Sequence, residues 1–220
     1  MPVREQIDYR VRRSDRARRV RVRVDAAHGI EVVLPRRAAE REAAAAVREL
    51  RPWIERRVAE LERTQALVAA RGATVPYLGA TLQLVPEAGR TRVHRRGERL
   101  YVPAGDHRPA LERWLRRQAR EEIAPRLDRA TALAGTRYSG LTIRGQRTRW
   151  ASCSATGAMS FNWRLLLAPE PVLDYVVWHE VCHLDVHDHS PRFWALLAER
   201  CPGYARHARW LRRNGPTLVL

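Results

Sequence analysis

Trp178-His179-Glu180-Val181-Cys182-His183-Leu184-Asp185-Val186-His187-Asp188-His189-Ser190-Pro191 is the stretch on which the reading of this chain turns. Val172, Leu173, Val176, Val177 and Val181 make the segment apolar at helical spacing, which predicts a buried helix over Pro171–Val186. On a helix, positions four apart are offset by about 40° and one turn, so His179 and His183 project from one face. Glu180 is turned about 100° from the first and about 60° from the second. Two imidazoles so placed can take one Zn2+, and the flanking carboxylate can accept a proton from a metal-bound water. With 8 His in the chain, chance produces H-E-x-x-H only about 0.02 times. The competing reading makes His179 and His183 core histidines with Glu180 at the surface. It gives no reason for so polar a face on so apolar a helix.

A catalytic zinc keeps three protein ligands and one open position. The candidates for the third are His187, His189 and Glu199. His187 continues the i, i+4 ladder, but a further rigid turn carries it away from the ion. His189 lies just past the helix, and Ser190-Pro191 reads as an N-cap and first position of another helix. A chain turning between two helices can fold His189 back, so it is favoured, with Glu199 on the next helix kept as the alternative. Asp185 and Asp188 could orient a ligand imidazole through its other nitrogen.

Outward from the motif, residues 158–163 and 141–144 read as strands, and residues 109–134 as a long helix that Pro125 bends. A helix is expected over residues 191–200 and another over 204–213, stopped by Asn214-Gly215-Pro216. Residues 5–35 read as β structure. Val20, Val22 and Val24 alternate with arginine, and Ile30, Val32 and Leu34 follow a turn at Ala27-His28-Gly29. Residues 38–70 have helical spacing, where Pro52 either starts a second helix or kinks one. Residues 77–102 carry short strand signals punctuated by glycine, which predicts a small meander. Pro103-Ala104-Gly105-Asp106 reads as the linker between an N-terminal region, 1–105, and a second domain, 106–220.

Composition narrows the function classes. The 220 residues are 45% hydrophobic, which excludes wholesale disorder. No run approaches the roughly 18 apolar residues of a membrane span, and the charged N-terminus has no signal-like apolar core. No membrane association and a cytoplasmic location are therefore expected. Three cysteines without a C-x-x-C pair argue against a disulfide framework or a cysteine metal site. The formal charge of +17 comes entirely from arginine, with no lysine. It points either to nucleic acid as a partner or to compositional bias.

Three stretches resemble the YgjP-like metallopeptidase family and, more distantly, the SprT-like and WLM zinc proteases. They are Arg149-Trp150-Ala151-Ser152-Cys153-Ser154, Asn162-Trp163-Arg164-Leu165-Leu166-Leu167-Ala168-Pro169, and Tyr175 through His189-Ser190-x-x-Phe193-Trp194. Arg13-Ser14 and Tyr77-Leu78-Gly79 extend the likeness into the first half. One departure is Ala151, where the family usually has Gly. Val186 stands where a metzincin has Gly, so that label is rejected.

The elements read above predict an α+β protein, with an N-terminal hairpin/meander and helix region packed on a helical domain with a short sheet, and the resemblance implies that this second domain is a zincin-like catalytic domain. It places the third histidine before a Ser-x-x-Phe helix start, which supports His189. The expected activity is hydrolysis of a protein or peptide substrate by one zinc ion on His179, His183 and His189, with Glu180 as base. Tyr175, Tyr204, His207 and Arg149 are candidates for stabilising an oxyanion. The strand around Met159–Trp163 could pair with an extended peptide if it is an edge strand. Two other readings stay open: a DNA-associated protease using its Arg-rich half, and a zinc-stabilised nucleic-acid-binding module without catalysis.

Overall fold

The computed structural model describes residues 7–25, 28–146 and 148–220. The turn expected at Ala27 lies outside the described residues. The chain divides into two compact units, residues 1–70 and 71–220.

In the first unit, β1 (Arg10–Ser14), β2 (Arg21–Asp25) and β3 (Gly29–Pro35) form a sheet ordered β1-β3-β2. The expected hairpin is the antiparallel pair β2–β3, with Val22 opposite Val32; β1 adds in parallel. Helices α1 (Arg41–Glu49) and α2 (Arg51–Ala69) follow. Pro52 sits in the first turn of α2, where its missing N–H costs no hydrogen bond, so it starts a second helix rather than kinking one. Val32, Leu34, Ala43, Val47 and Ile54 form this unit's core.

The second unit opens with a four-stranded sheet. Its strands are β4 (Thr74–Tyr77), β5 (Ala80–Glu87), β6 (His94–Arg96) and β7 (Arg99–Pro103), ordered β4-β5-β7-β6. It is not the meander expected, because β7 pairs parallel with β5. The reason lies in the side chains. Leu100 and Val102 of β7 are buried, whereas all three residues of β6 are exposed, so β6 takes the edge. Leu78 and Gly79 both have positive φ, 49° and 91°, in the two-residue turn between β4 and β5. That is the turn class whose twist matches paired strands, and the Leu78 amide is held by the Leu166 carbonyl at 2.7 Å.

Helix α3 (Arg108–Ala134) runs on through Pro125 and ends at Gly135, left-handed at φ 66°. Two strands, β8 (Gly140–Arg144) and β9 (Ala151–Cys153), flank β10 (Ala158–Asn162) in the order β8-β10-β9. A 3-10 turn over Trp163–Leu167 leads into α4 (Glu170–Cys182), then α5 (Pro191–Arg200) and α6 (Tyr204–Asn214). Val75, Leu82, Leu100 and Val102 share one core with Leu111, Trp114 and Leu115 of α3. The division of the chain therefore falls after residue 70, not at the expected 105/106. Pro103–Asp106 is a turn between two elements of one core rather than a linker. Among the described residues, six α-helices and three small mixed sheets make the fold α+β, as the sequence predicts.

Candidate metal centre

The site is built on the C-terminal end of α4. This helix is apolar nearly all round, so it is buried, and it packs against α3, α5, α6 and β9. It ends four residues earlier than the spacing predicts. Beyond Cys182 the chain tightens: the His183 amide bonds the Glu180 carbonyl at 3.2 Å and the Leu184 amide bonds the Val181 carbonyl at 3.0 Å. His183 is therefore the C-cap, still in right-handed helical geometry, and its ring stays on the face of His179. His187 falls outside the helix and is exposed, which removes it from the ladder.

The structure brings His179, His183 and His189 together. One ligand atom from each lies within 4.8 Å of the others. His189 Nε2 is 3.1 Å from His179 Nε2. Four-coordinate zinc with Zn–N near 2.05 Å separates ligand nitrogens by about 3.3 Å, so this donor set fits such an ion. His183 Nδ1 lies 3.0 Å from the Val186 carbonyl, which fixes the proton on Nδ1 and leaves Nε2 its lone pair. Glu199 is not in the cluster; it lines a surface hollow with Asp185, Arg192 and Arg200. Asp185 pairs with Arg200 at 2.8 Å, and Asp188 accepts from the Ser190 amide, so neither orients a ligand ring.

Beneath the three rings lies Phe193, 0% exposed. It stacks on His183 at 4.5 Å between centroids and meets His179 at 5.0 Å and His189 at 4.9 Å. Its position follows from α5. Ser190 precedes the helix in extended geometry and Pro191 opens it, so Phe193 points back at the site, although the Ser190 side chain makes no capping bond. Trp194, the next residue of α5, is no core aromatic. It is 36% exposed and sandwiched between His189 at 5.5 Å and Tyr204 at 5.7 Å. Nothing in the spacing of the Ser190-x-x-Phe193 stretch assigns Phe193 this role. The available signal was an aromatic in the first turn after the third histidine.

Glu180 is 5% exposed, and its Oε2 is buried with no hydrogen-bond partner among the described residues. Burial pushes its carboxyl from 4.5 up to about 7, with the Cys153 backbone amide of β9 pulling the other way. Burial, then the neighbouring His183 and His189, lower His179 from 6.5 to about 4. His183 is lowered too, chiefly by burial. At neutral pH His179 and His183 are thus free bases, the form a metal takes. Of the oxyanion candidates, Tyr175 lies edge-on to His179 at 6.0 Å and Tyr204 reaches the cluster through Trp194. Arg149 and His207 make no ring contact with the cluster among the described residues. Strand β10 is central, with both edges taken, so it cannot accept a peptide; β9 is the edge strand beside α4.

Fold and donor set together define a class: an α+β protein with three histidines fit to hold a metal ion. The profile of the YgjP-like metallopeptidase domain matches residues 18–214. The chain belongs to the YgjP-like metallopeptidase family, and a metal belongs with that membership. Among curated proteins nothing matches. Among solved structures, the chain is similar to the crystal structure of the metallopeptidase zymogen of Pyrococcus abyssi abylysin. That match has 22% identity and a TM-score of 0.39, and covers 44% of this chain and 99% of that one. No described helix is long and apolar enough to cross a membrane.

Proposed function

We propose that this chain is a zinc-dependent peptidase that hydrolyses peptide bonds, with one zinc ion held by His179, His183 and His189 and Glu180 as general base. The observation that carries the reading is a buried carboxylate, with its Oε2 unpartnered among the described residues, on the helix that brings two of three converging imidazoles. An orphaned acceptor in an apolar setting costs about 1–3 kcal/mol, and a reacting water relieves it. When bound, zinc would lower the pKa of a water toward about 7 and polarise the scissile carbonyl.

The protein's own groups do the rest. Glu180, raised toward neutrality by burial, accepts the water proton and returns it to the leaving amine. Phe193 holds the three rings in place from below. The edge of β9 away from β10, where the Cys153 amide meets Glu180, is offered to an extended substrate backbone. Tyr175, buried and edge-on to His179, is the better placed of the oxyanion candidates.

Glu180→Gln tests the reading. The variant is expected to bind zinc one to one, as wild type does, while cleavage of an unfolded casein falls by more than about 10²-fold. Undiminished cleavage would sink Glu180 as base. Wild type that takes up no zinc would sink the whole site.

A further inference from the structure

The arginine excess is not spread evenly. Between Arg10 and Arg37 there are ten arginines and three carboxylates, one net positive charge per four residues. Across residues 38–70, which hold α1 and α2, six arginines meet six carboxylates. Across residues 71–220 the excess is one in about fourteen. A bias in composition alone would load the helices as heavily as the strands.

Register then sorts four of the five strand arginines onto one face; Arg13, opposite Leu34, falls on the other. Arg10 and Arg23 flank Glu31 on either side, and Arg12 and Arg21 flank Val33. The opposite face carries Val22, Val24, Ile30, Val32 and Leu34 into the core with the helices. The outer face is therefore a two-by-two grid of guanidinium groups. Its stems are about 6.6 Å apart along a strand and about 10 Å apart across the sheet. All four are exposed, whereas Val33 between their stems is 3% exposed. Glu31, 8% exposed, anchors Arg10 and Arg12 at 3.3 Å each. Among the described residues, Arg21 and Arg23 have no carboxylate partner. Arg16, Arg18 and Arg19, on the connection from β1 to β2, are exposed at one end of the grid.

We propose that this outer sheet face is a docking surface for duplex DNA, gripping backbone phosphates through Arg10, Arg12, Arg21 and Arg23 without reading sequence. Duplex DNA carries one charge per roughly 1.7 Å of axis, a dense and regular match for the grid. Among the described residues this face holds no aromatic ring, and sites for single strands stack bases on such rings. A duplex keeps its bases stacked and asks only for cations. The proposal is independent of the peptidase reading, since neither Glu180 nor the histidine cluster takes part.

The test is fluorescence anisotropy of a 20-base-pair DNA duplex, and of one of its strands alone, with the full chain between 50 and 200 mM salt. Four phosphate contacts predict a log–log slope near −3.6, or roughly a 150-fold loss of affinity over that range. Arg21→Ala/Arg23→Ala, which breaks no ion pair, should reduce this to roughly 12-fold, and Arg21→Lys/Arg23→Lys should restore it. Arg41→Ala/Arg56→Ala removes the same charge from the helices and should leave the slope within about half a unit of wild type. Equal losses in the two alanine pairs would reduce the effect to net charge and overturn the proposal. So would a salt-insensitive affinity, a tighter hold on the single strand, or no binding at 50 mM salt.

Discussion

At the scale of single residues, the site rests on two groups whose ordinary acidities are reversed by burial. Folded Glu180 keeps its proton up to about pH 7, against 4.5 for the free side chain. Folding favours its protonated form, so the stability it contributes is full below pH 4.5 and lost as pH rises to 7. His179 runs the other way. Its neutral form is favoured, and stability is gained as pH rises from about 4 to 6.5. In metal-free protein the two slopes oppose each other between pH 4.5 and 6.5. Glu180→Gln removes only the first. Its advantage over wild type in urea unfolding should therefore grow with pH, reaching about 3 kcal/mol above neutrality. A difference that stays flat from pH 4 to 8 would refute the buried carboxylate. His189 is exposed, so His189→Ala should keep its far-UV circular dichroism. It should nevertheless lose zinc affinity by more than about 100-fold in a competition titration with a chelating dye. The spacing of His179, Glu180 and His183 was legible because a helix fixes it. The place of His189 depended on a turn that no periodicity encodes.

At the scale of elements, two supports outside the motif hold the site. Phe193 of α5 packs under all three imidazoles and is wholly buried. Phe193→Ala should cost about 3–5 kcal/mol in denaturant unfolding. It should also weaken zinc binding by about 10–100-fold while leaving every ligand in place. Asn162, at the end of β10, donates to the Gln146 carbonyl at 2.7 Å and the Arg149 carbonyl at 3.3 Å, and its own amide bonds the Trp150 carbonyl. It pins the segment that feeds into β9. Asn162→Ala leaves those acceptors short of a donor and should cost roughly 1–3 kcal/mol. If β9 receives the substrate, KM for a peptide should rise more than kcat falls; an unchanged KM would remove β9 from that role. Sequence spacing found β8 and β10 but not their order. Alternation names the buried face of a strand, while its neighbours depend on partners far along the chain.

At the scale of the whole molecule, the two units have separate cores. The core of residues 1–70 is small, with five buried hydrophobic residues in its cluster among the described residues, and small cores are marginal. Trp53 is the one tryptophan of that unit and is 40% exposed, whereas six belong to residues 71–220. Tryptophan fluorescence should therefore report the second unit, and far-UV circular dichroism both. The two thermal curves are expected not to coincide, with the dichroism beginning to fall several degrees earlier. Coincident curves would mean that the chain melts as one cooperative body.

The sequence by itself determined the chemistry of the helix that carries His179, Glu180 and His183, the α+β class and the family. The first two rest on local periodicity and on a motif whose spacing is its geometry; the family rests on the resemblance of three longer stretches. Tertiary structure alone decided four others: the tightened end of α4 at His183, the central place of β10, the aromatic floor at Phe193, and the union of residues 74–103 with the helical core. Each depends on which surfaces meet across long stretches of chain. Burial against a distant partner leaves no signature in the order of neighbouring residues.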